Sequence, residues 1–356
     1  TGELNNHLKA VIDSLNSINS AKVAIDIPTG LNANTGFGDV VFNSDLTICL
    51  GELKPGLFFG AGYKFAGKVV KGDIGIDFEY YRRYNSKEYL VEPEDAVEGL
   101  PVRSKTAHKY SSGKVLVIAG SEKYPGAAYL CTNSSLISGA GATVLAVPDS
   151  IKSLVFPNLF ESTMITYNQN NKGYLTVDAL DTLNEKIEWA DIVALGCGIG
   201  RDEETVEACG SIVKNFPNTS FVIDADAIYC IAQYGLEKLD LRNIIFTPHL
   251  AEFSYLCNVG IEELSKDLLL YGREFISKTG SYLVLKGSPT IVFNPEGEVF
   301  INTCGNSGMA KFGTGDVLTG FIASLVAQSK NIEKSIISSV YLHSLSADLL
   351  LDEKTE

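Results

Sequence analysis

Val115-Leu116-Val117-Ile118-Ala119 is an unbroken apolar run. A strand with one solvated face alternates in polarity, whereas a strand covered on both faces does not. The run therefore predicts a strand inside a layered sheet. The same signature returns at 142–147, 192–195, 221–223 and 244–246. Helical spacing of apolar residues predicts helices at about 127–138, 203–215, 225–234, 261–279, 315–328 and 333–352. The short runs 282–285, 290–293 and 299–301 lie close together, with glycine or Pro-Glu-Gly turns between them, and predict antiparallel strands at one edge. The alternation sets the fold class of this part of the chain as α/β. It is a three-layer α/β/α domain around a largely parallel sheet, with binding loops at the carboxyl ends of the strands.

Upstream of that domain the pattern is thinner. A helix is expected at 6–17, with Leu8, Val11, Ile12 and Leu15 on one face, and strands at 23–25, 46–50 and 67–70. These elements predict part of a second α/β sheet with few helices to cover it. Residues 79–112 are polar and aromatic without clean periodicity and read as a connection, with a short strand near Tyr89 to Val91.

Composition bounds the partners. The 356 residues fit two domains, and 45% hydrophobic with 20% charged residues is enough for buried cores. Twenty-nine basic against 43 acidic residues leave a net charge of −14, which argues against nucleic acid or an anionic membrane as the main partner. Anionic small ligands remain open, because a pocket of backbone N–H groups suffices to hold them. No apolar run reaches about 18 residues. The first 30 residues lack a basic-then-apolar leader pattern, although the chain begins with Thr1 rather than Met. Seven scattered cysteines without a Cys-x-x-Cys pair point to reduced thiols in a cytoplasmic protein rather than a disulfide framework or a zinc ribbon.

The strongest chemical signal is the glycine-rich run from Gly305 through Gly308, Gly313-Thr314-Gly315-Asp316 and Gly320. Glycines permit close backbone approach, and N–H groups at a helix start point at an anion. Asp316 at that start serves either as a cap or as a catalytic base. Lys286-Gly287-Ser288-Pro289-Thr290 follows a buried strand and suits either phosphates or a tight hairpin. Gly196-Cys197-Gly198-Ile199-Gly200 is a glycine-rich turn at a strand end, without the dinucleotide or Walker A pattern. Asp224 and Asp226 follow another strand and suit a phosphate-held metal or simple capping. His249 closes the next strand with Glu252 three residues on, and reads equally as a site or a structural histidine. His7, His108 and His343 read as structural.

Taken in order, these loops resemble the nucleotide-dependent NAD(P)H-hydrate dehydratase family. They are joined by Gly120-Ser121 with Tyr124-Pro125-Gly126-Ala127-Ala128 and by Gly139-Ala140-Gly141. The resemblance covers nearly all of 85–353 and implies a ribokinase-like fold. Residues 1–84 resemble the carboxyl-terminal part of NAD(P)H-hydrate epimerases, a partial Rossmann-like domain, through Ala24-Ile25-Asp26-Ile27-Pro28-Thr29-Gly30, Asn32 to Gly36, Leu53-Lys54-Pro55-Gly56-Leu57 and Asp73-Ile74-Gly75-Ile76. The implied domains are 1–84 and 85–356, in the order in which the two activities occur fused. Thr1-Gly2-Glu3 resembles the tail of the epimerases' glycine-rich substrate loop, so the upstream half of an epimerase is expected to be missing.

The resemblance implies a reaction. NADH or NADPH hydrated at the nicotinamide 5,6 double bond is phosphorylated on its added hydroxyl at the expense of ADP or ATP with Mg²⁺, and phosphate is then eliminated. It implies Asp316 as the base. Ala127, Ala128, Gly198, His249 and Asp316 would contact the hydrate, and Lys286, Gly287, Ser288, Pro289, Thr290, Gly313, Thr314 and Gly315 the nucleotide. In the epimerase part it implies Asp26 as a substrate carboxylate and Thr29, in place of serine, as a ligand of K⁺. Cys197 stands where proline is common and Leu250-Ala251 where Pro-Gly is common. A homo-oligomer is expected. A kinase that stops at the phosphoester and a non-catalytic nucleotide-binding regulator are the alternatives.

Overall fold

The run read at 115–119 forms a strand, Lys114–Ile118, in which Val115, Leu116, Val117 and Ile118 are fully buried. The computed structural model describes residues 4–84, 86–329, 331–351 and 353, so the reading of Thr1-Gly2-Glu3 lies outside the described residues. The chain folds as two compact units, Thr1–Tyr89 with Val259–Glu274, and Leu90–Asn258 with Phe275–Glu356.

In the first unit β1 (Val23–Ile25), β2 (Leu46–Leu50) and β3 (Lys68–Gly72) form a parallel sheet in that order. The helix Asn6–Ser17 starts on Asn5, whose side chain accepts from the Leu8 N–H at 2.9 Å. The core gathers around Leu31, Val41, Cys49, Leu57 and Ala66, contributed by loops as much as by strands. Of the helix stripe only Ile12 is buried, while Leu8, Val11 and Leu15 are exposed, as are Val23 and Ile25 on β1. The period fixed the helix; it could not say what would cover the stripe.

The larger sheet has ten strands, nine of them inside the second unit and the edge strand β4 straddling the division in the chain at Tyr89. Its strands are β4 (Glu88–Leu90), β5 (Lys114–Ile118), β6 (Ala142–Pro148), β7 (Thr163–Tyr167), β8 (Ile192–Leu195), β9 (Ser220–Ile223), β10 (Ile244–Phe246), β11 (Tyr282–Leu285), β12 (Thr290–Phe293) and β13 (Val299–Asn302). Their order is β4-β13-β12-β11-β10-β9-β8-β5-β6-β7. Pairing is parallel from β11 through to β7, and β12 and β13 are antiparallel, as the close spacing of the three runs required. Helices Pro125–Ile137, Thr314–Gln328 and Ile332–Leu349 pack together on one face, and Glu203–Asn215, Asp226–Tyr234 and Leu250–Cys257 run side by side on the other. This is the three-layer α/β/α architecture.

Chain order reverses between β5 and β8, where the sheet advances to β6 on one side and β9 on the other. Such a switch point leaves a crevice at the carboxyl ends of the two strands. The loops after β5 and β8 border it. Several features depart from the sequence reading; among them the helices Leu180–Trp189 and Leu250–Cys257 had no counterpart in it. The helix expected over 261–279 is divided into Ile261–Leu264 and Leu268–Thr279, because the Asp267 carboxylate accepts from the Leu270 N–H at 3.0 Å and starts a new helix. The outermost parallel strand, β7, escaped notice because its Met164, Ile165 and Thr166 are only half-buried and give no unbroken apolar run.

Candidate active site

The loops at the strand ends are fastened to one another by backbone bonds. The Gly120 N–H donates to the Cys197 carbonyl at 2.8 Å, Asp226 N–H to Gly196 carbonyl at 3.2 Å, and Lys286 N–H to Pro248 carbonyl at 2.8 Å. Gly196 has φ of 132°, and a Cβ there would sit 1.9 Å from the Asp224 carbonyl, so no other residue fits this turn. Gly198 faces Tyr124 and Ala127 across the crevice.

Asp224 is the pivot. It is 1% exposed, and its two oxygens are taken by protein donors: Lys286 Nζ at 2.6 Å and the Thr319 hydroxyl at 2.6 Å. Lys286 Nζ also lies 3.9 Å from Glu252. Burial works against the Lys286 charge, but Asp224 and Glu252 outweigh it and hold its pKa above the ordinary lysine value. Glu252 is buried, and burial pushes its pKa up. It also closes a reciprocal cap with His249, whose ring Nδ1 accepts from the Glu252 N–H at 3.2 Å while the carboxylate accepts from the His249 N–H at 2.9 Å. His249 thus starts the helix Leu250–Cys257 and still lines the cavity described below.

Asp316 stands in the first turn of the helix Thr314–Gln328. Burial pushes its pKa up, and the nearby charges of Asp224 and Asp226 push the same way; the Cys197 thiol and the Lys286 charge pull it down without cancelling the rise. A carboxylate with raised proton affinity at a helix start is placed to accept a proton, and no helix-cap bond ties it down: the N-cap position is Gly313, in the left-handed region at φ 92°. The next residue, Thr314, has its hydroxyl buried and without a partner among the described residues. An unsatisfied buried hydroxyl beside free helix N–H groups is a vacant donor for an anionic ligand. Gly315 brings this turn against Lys286: a Cβ there would lie 3.3 Å from its Nζ.

The start of the helix opens into a cavity of about 770 Å³, lined among others by His249, Lys286, Ser288, Thr290, Thr314 and His343. The volume suits a nucleotide-sized ligand. The loop that roofs it is held from below by Asp348, which accepts from the Gly305 N–H at 2.8 Å and from the Asn306 side chain at 3.0 Å. His343 lines this cavity and a neighbouring one of about 580 Å³. Burial lowers its pKa to about 4, so the ring is neutral at physiological pH. Neither Asp348 nor His343 was singled out as a site residue from the sequence, because nothing in a helical pattern marks which exposed-looking residue will face a loop 40 positions upstream.

The structure brings Lys286, Gly287, Ser288, Thr290, Thr314, Gly315 and His249 to one cavity, with Asp316 in the same helical turn and Gly313 beside them. Two residues expected to touch ligand stand back. Ala128 is fully buried and packs against Gly120, and Pro289 is buried and does not line the cavity. Asp224 and Asp226 are both engaged by protein donors. Asp226 accepts from the Gly200 N–H at 3.0 Å and pairs with Arg201, and Asp224 accepts from Lys286 and Thr319. No group of three or more His, Cys, Asp or Glu side chains among the described residues is arranged to hold a metal ion. The protein groups here do not fit a protein-held Mg²⁺.

Comparison with known proteins agrees with this geometry. The profile described as NAD(P)H-hydrate dehydratase matches residues 115–356. This chain belongs to the NAD(P)H-hydrate dehydratase family. The profile described as YjeF-related protein N-terminus matches residues 1–56. Bifunctional NAD(P)H-hydrate repair enzymes from Dictyoglomus turgidum and Escherichia coli are 31% and 30% identical to it over 97% and 96% of this chain. The chain spans about two thirds of the length of these relatives, 67% and 64%. The ADP/ATP-dependent NAD(P)H-hydrate dehydratase of Bacillus subtilis, co-crystallised with ATP and Mg²⁺, superposes with a TM-score of 0.62 at 27% identity, covering 75% of this chain and 91% of that one. A ribokinase-like superfamily protein from Enterococcus faecalis gives 0.65 at 28% identity over 76% and 90%. The dehydratase unit therefore carries a ribokinase-like fold, and every residue of the cavity lies within its matched span.

Asp26 and Thr29 belong to the other unit. Asp26, at φ 71° just after β1, accepts from Lys54 Nζ at 2.6 Å and from the Leu50 N–H at 3.1 Å. The Lys54 bond holds its pKa below the ordinary aspartate value. Thr29 is exposed in the following turn.

Proposed function

We propose that the chain catalyses dehydration of the S-form of hydrated NADH or NADPH back to NADH or NADPH, using ADP or ATP. The observation that carries the reading is Asp316. It is a half-buried carboxylate of raised proton affinity in the first turn of a glycine-started helix, beside the anchored Lys286–Asp224 pair and a cavity of nucleotide size.

The residues divide the work. Lys286 and the N–H groups of Gly313, Thr314 and Gly315 hold the terminal phosphates and meet the charge that develops on the transferring phosphoryl group. Asp316 takes the proton of the added hydroxyl as its oxygen attacks phosphorus and the bond to the nucleotide's bridging oxygen breaks. The new phosphoester leaves with its bonding pair as the ring nitrogen's lone pair moves in. Loss of a proton from the adjacent carbon restores the double bond. No strong base is required for that second half. Mg²⁺ would arrive on the nucleotide phosphates, and no step is assigned to it. Ala127, Gly198 and His249 border the hydrate, and Asp224 and Thr319 keep Lys286 aimed.

The same reading assigns residues 1–84 to R/S hydrate epimerisation in the whole protein, with Asp26 as a substrate carboxylate and Thr29 as one oxygen of a potassium set; no step is routed through K⁺. It also places the protein in the cytoplasm as a homo-oligomer. Seven free thiols support the first of these.

The test is incubation with hydrated NADH, Mg²⁺ and either ADP or ATP. Recovery of the dihydropyridine absorbance with one orthophosphate per NADH is expected. A stable phosphoester without NADH would make the protein a kinase instead.

A further inference from the structure

Phe312 is the most exposed large apolar residue among the described residues, with its side chain wholly in solvent. A single exposed apolar side chain needs no explanation by itself. Its place does. Phe312 lines the cavity of about 770 Å³ and also borders the neighbouring one of about 580 Å³. It directly precedes Gly313, Thr314 and Gly315, the turn whose N–H groups point at an anion. Among the described residues that line the larger cavity it is the only Phe, Tyr or Trp.

The lining of that cavity is of two kinds. Lys286, Ser288, Thr290, Thr314 and Gly315 offer charge, hydroxyls and N–H groups. Leu318 and Val340 offer hydrocarbon, and at 4% and 2% exposed they are held firmly in the helices Thr314–Gln328 and Ile332–Leu349. A nucleotide divides in the same way, into charged phosphates and a flat base with two apolar faces. The two helices can cover one face of the base. Cover for the other has to come from the loop above them, and Phe312 is its one aromatic side chain.

That loop is tied as far as Lys311 and free after it. The Met309 N–H donates to the Asn306 carbonyl at 3.2 Å, Ala310 N–H to the Ser307 carbonyl at 3.0 Å and Lys311 N–H to the Met309 carbonyl at 2.8 Å. Neither backbone group of Phe312 is bonded among the described residues, and Gly313 after it lies at φ 92°. The ring therefore stands on a short untied link beside a glycine, and it can turn toward the cavity without breaking a hydrogen bond.

We propose that Phe312 is a binding residue for the base of the nucleotide: when ADP or ATP enters, the ring closes over the base and stacks on it, and Leu318 and Val340 meet the opposite face. The proposal rests on the reading of this cavity as the nucleotide site.

The experiment separates the base from the phosphates. Wild type, Phe312→Ala, Phe312→Leu and Phe160→Ala are titrated by calorimetry with ATP and with inorganic tripolyphosphate. Phe160 is the control, because it is 91% exposed and lines neither cavity. Phe312 makes no buried contact to lose, so its variants should melt with wild type. Phe312→Ala should weaken ATP about tenfold and leave tripolyphosphate unmoved, with Phe312→Leu in between and Phe160→Ala like wild type. Trp189 is the only tryptophan of the chain, so Phe312→Trp combined with Trp189→Phe places a single indole at the cavity. ATP should quench its emission and tripolyphosphate should not. Unchanged ATP affinity in Phe312→Ala, equal weakening of both ligands, or quenching that does not need the base overturns the proposal and leaves the nucleotide reading standing. Failure of wild type to bind ATP overturns both.

Discussion

Each unit has an aspartate–lysine pair at the carboxyl end of a parallel strand, with the same 2.6 Å separation. In the first, Asp26 and Lys54 are 41% and 26% exposed; in the second, Asp224 and Lys286 are 1% and 18% exposed. Water screens the first pair and is excluded from the second, so one geometry has two energies. Only the buried pair has a further carboxylate near it. Asp316, partly desolvated and repelled by Asp224, is left with a raised affinity for a proton. Burial makes one lysine a fixed part of the framework and raises the proton affinity of the neighbouring aspartate; the Lys54 bond holds the pKa of Asp26 down.

Breaking the buried pair should have the largest structural effect. Lys286→Met strands the Asp224 charge and should cost about 3–5 kcal/mol of unfolding free energy, read by denaturant titration. Gly313→Ala comes next. Its φ of 92° and the 2.5 Å approach of a Cβ to Leu130 Cδ1 predict a loss of about 1–3 kcal/mol, with weaker ATP binding by calorimetry. Asp316→Asn should act in the opposite direction. Because the folded state raises the pKa of Asp316, its stabilising protonation is present at low pH and is lost as pH rises through the folded-state value. At neutral pH the ionised group therefore costs stability, and the variant should melt higher than wild type. Lys54→Met should do least, under about 1 kcal/mol, because the pair is exposed. The pKa of Asp26 is lowered on folding, so its small contribution is present above the unfolded aspartate value and fades as pH falls through the folded one. A cost for Lys54→Met equal to that for Lys286→Met would break the comparison.

The same contrast explains what could be read from the sequence. Continuous apolar runs betray strands buried on both faces, so β5, β6, β8, β9 and β10 were legible, and helix Asp226–Tyr234 followed from its period. The glycines around Asp316 marked the helix start because few other reasons exist for so many in one turn. Pairing across distance was not legible. Asp224 is 62 residues from Lys286 and 95 from Thr319, and nothing local shows which donors a carboxylate will meet. His343 and Asp348 are spaced as ordinary helix residues. In the first unit the helix Asn6–Ser17 was legible to the residue, but the exposure of Leu8, Val11 and Leu15 was not, since a period says which residues share a face and not what lies against it.

The central claim is that Asp316 accepts the hydroxyl proton in a nucleotide-driven dehydration. The direct measurement is recovery of NADH from hydrated NADH with ATP and Mg²⁺, wild type against Asp316→Asn, with ATP affinity measured in parallel. The account predicts a loss of rate of about a hundred- to ten-thousand-fold with ATP binding retained. An Asp316→Asn enzyme that restores NADH at the wild-type rate would contradict it.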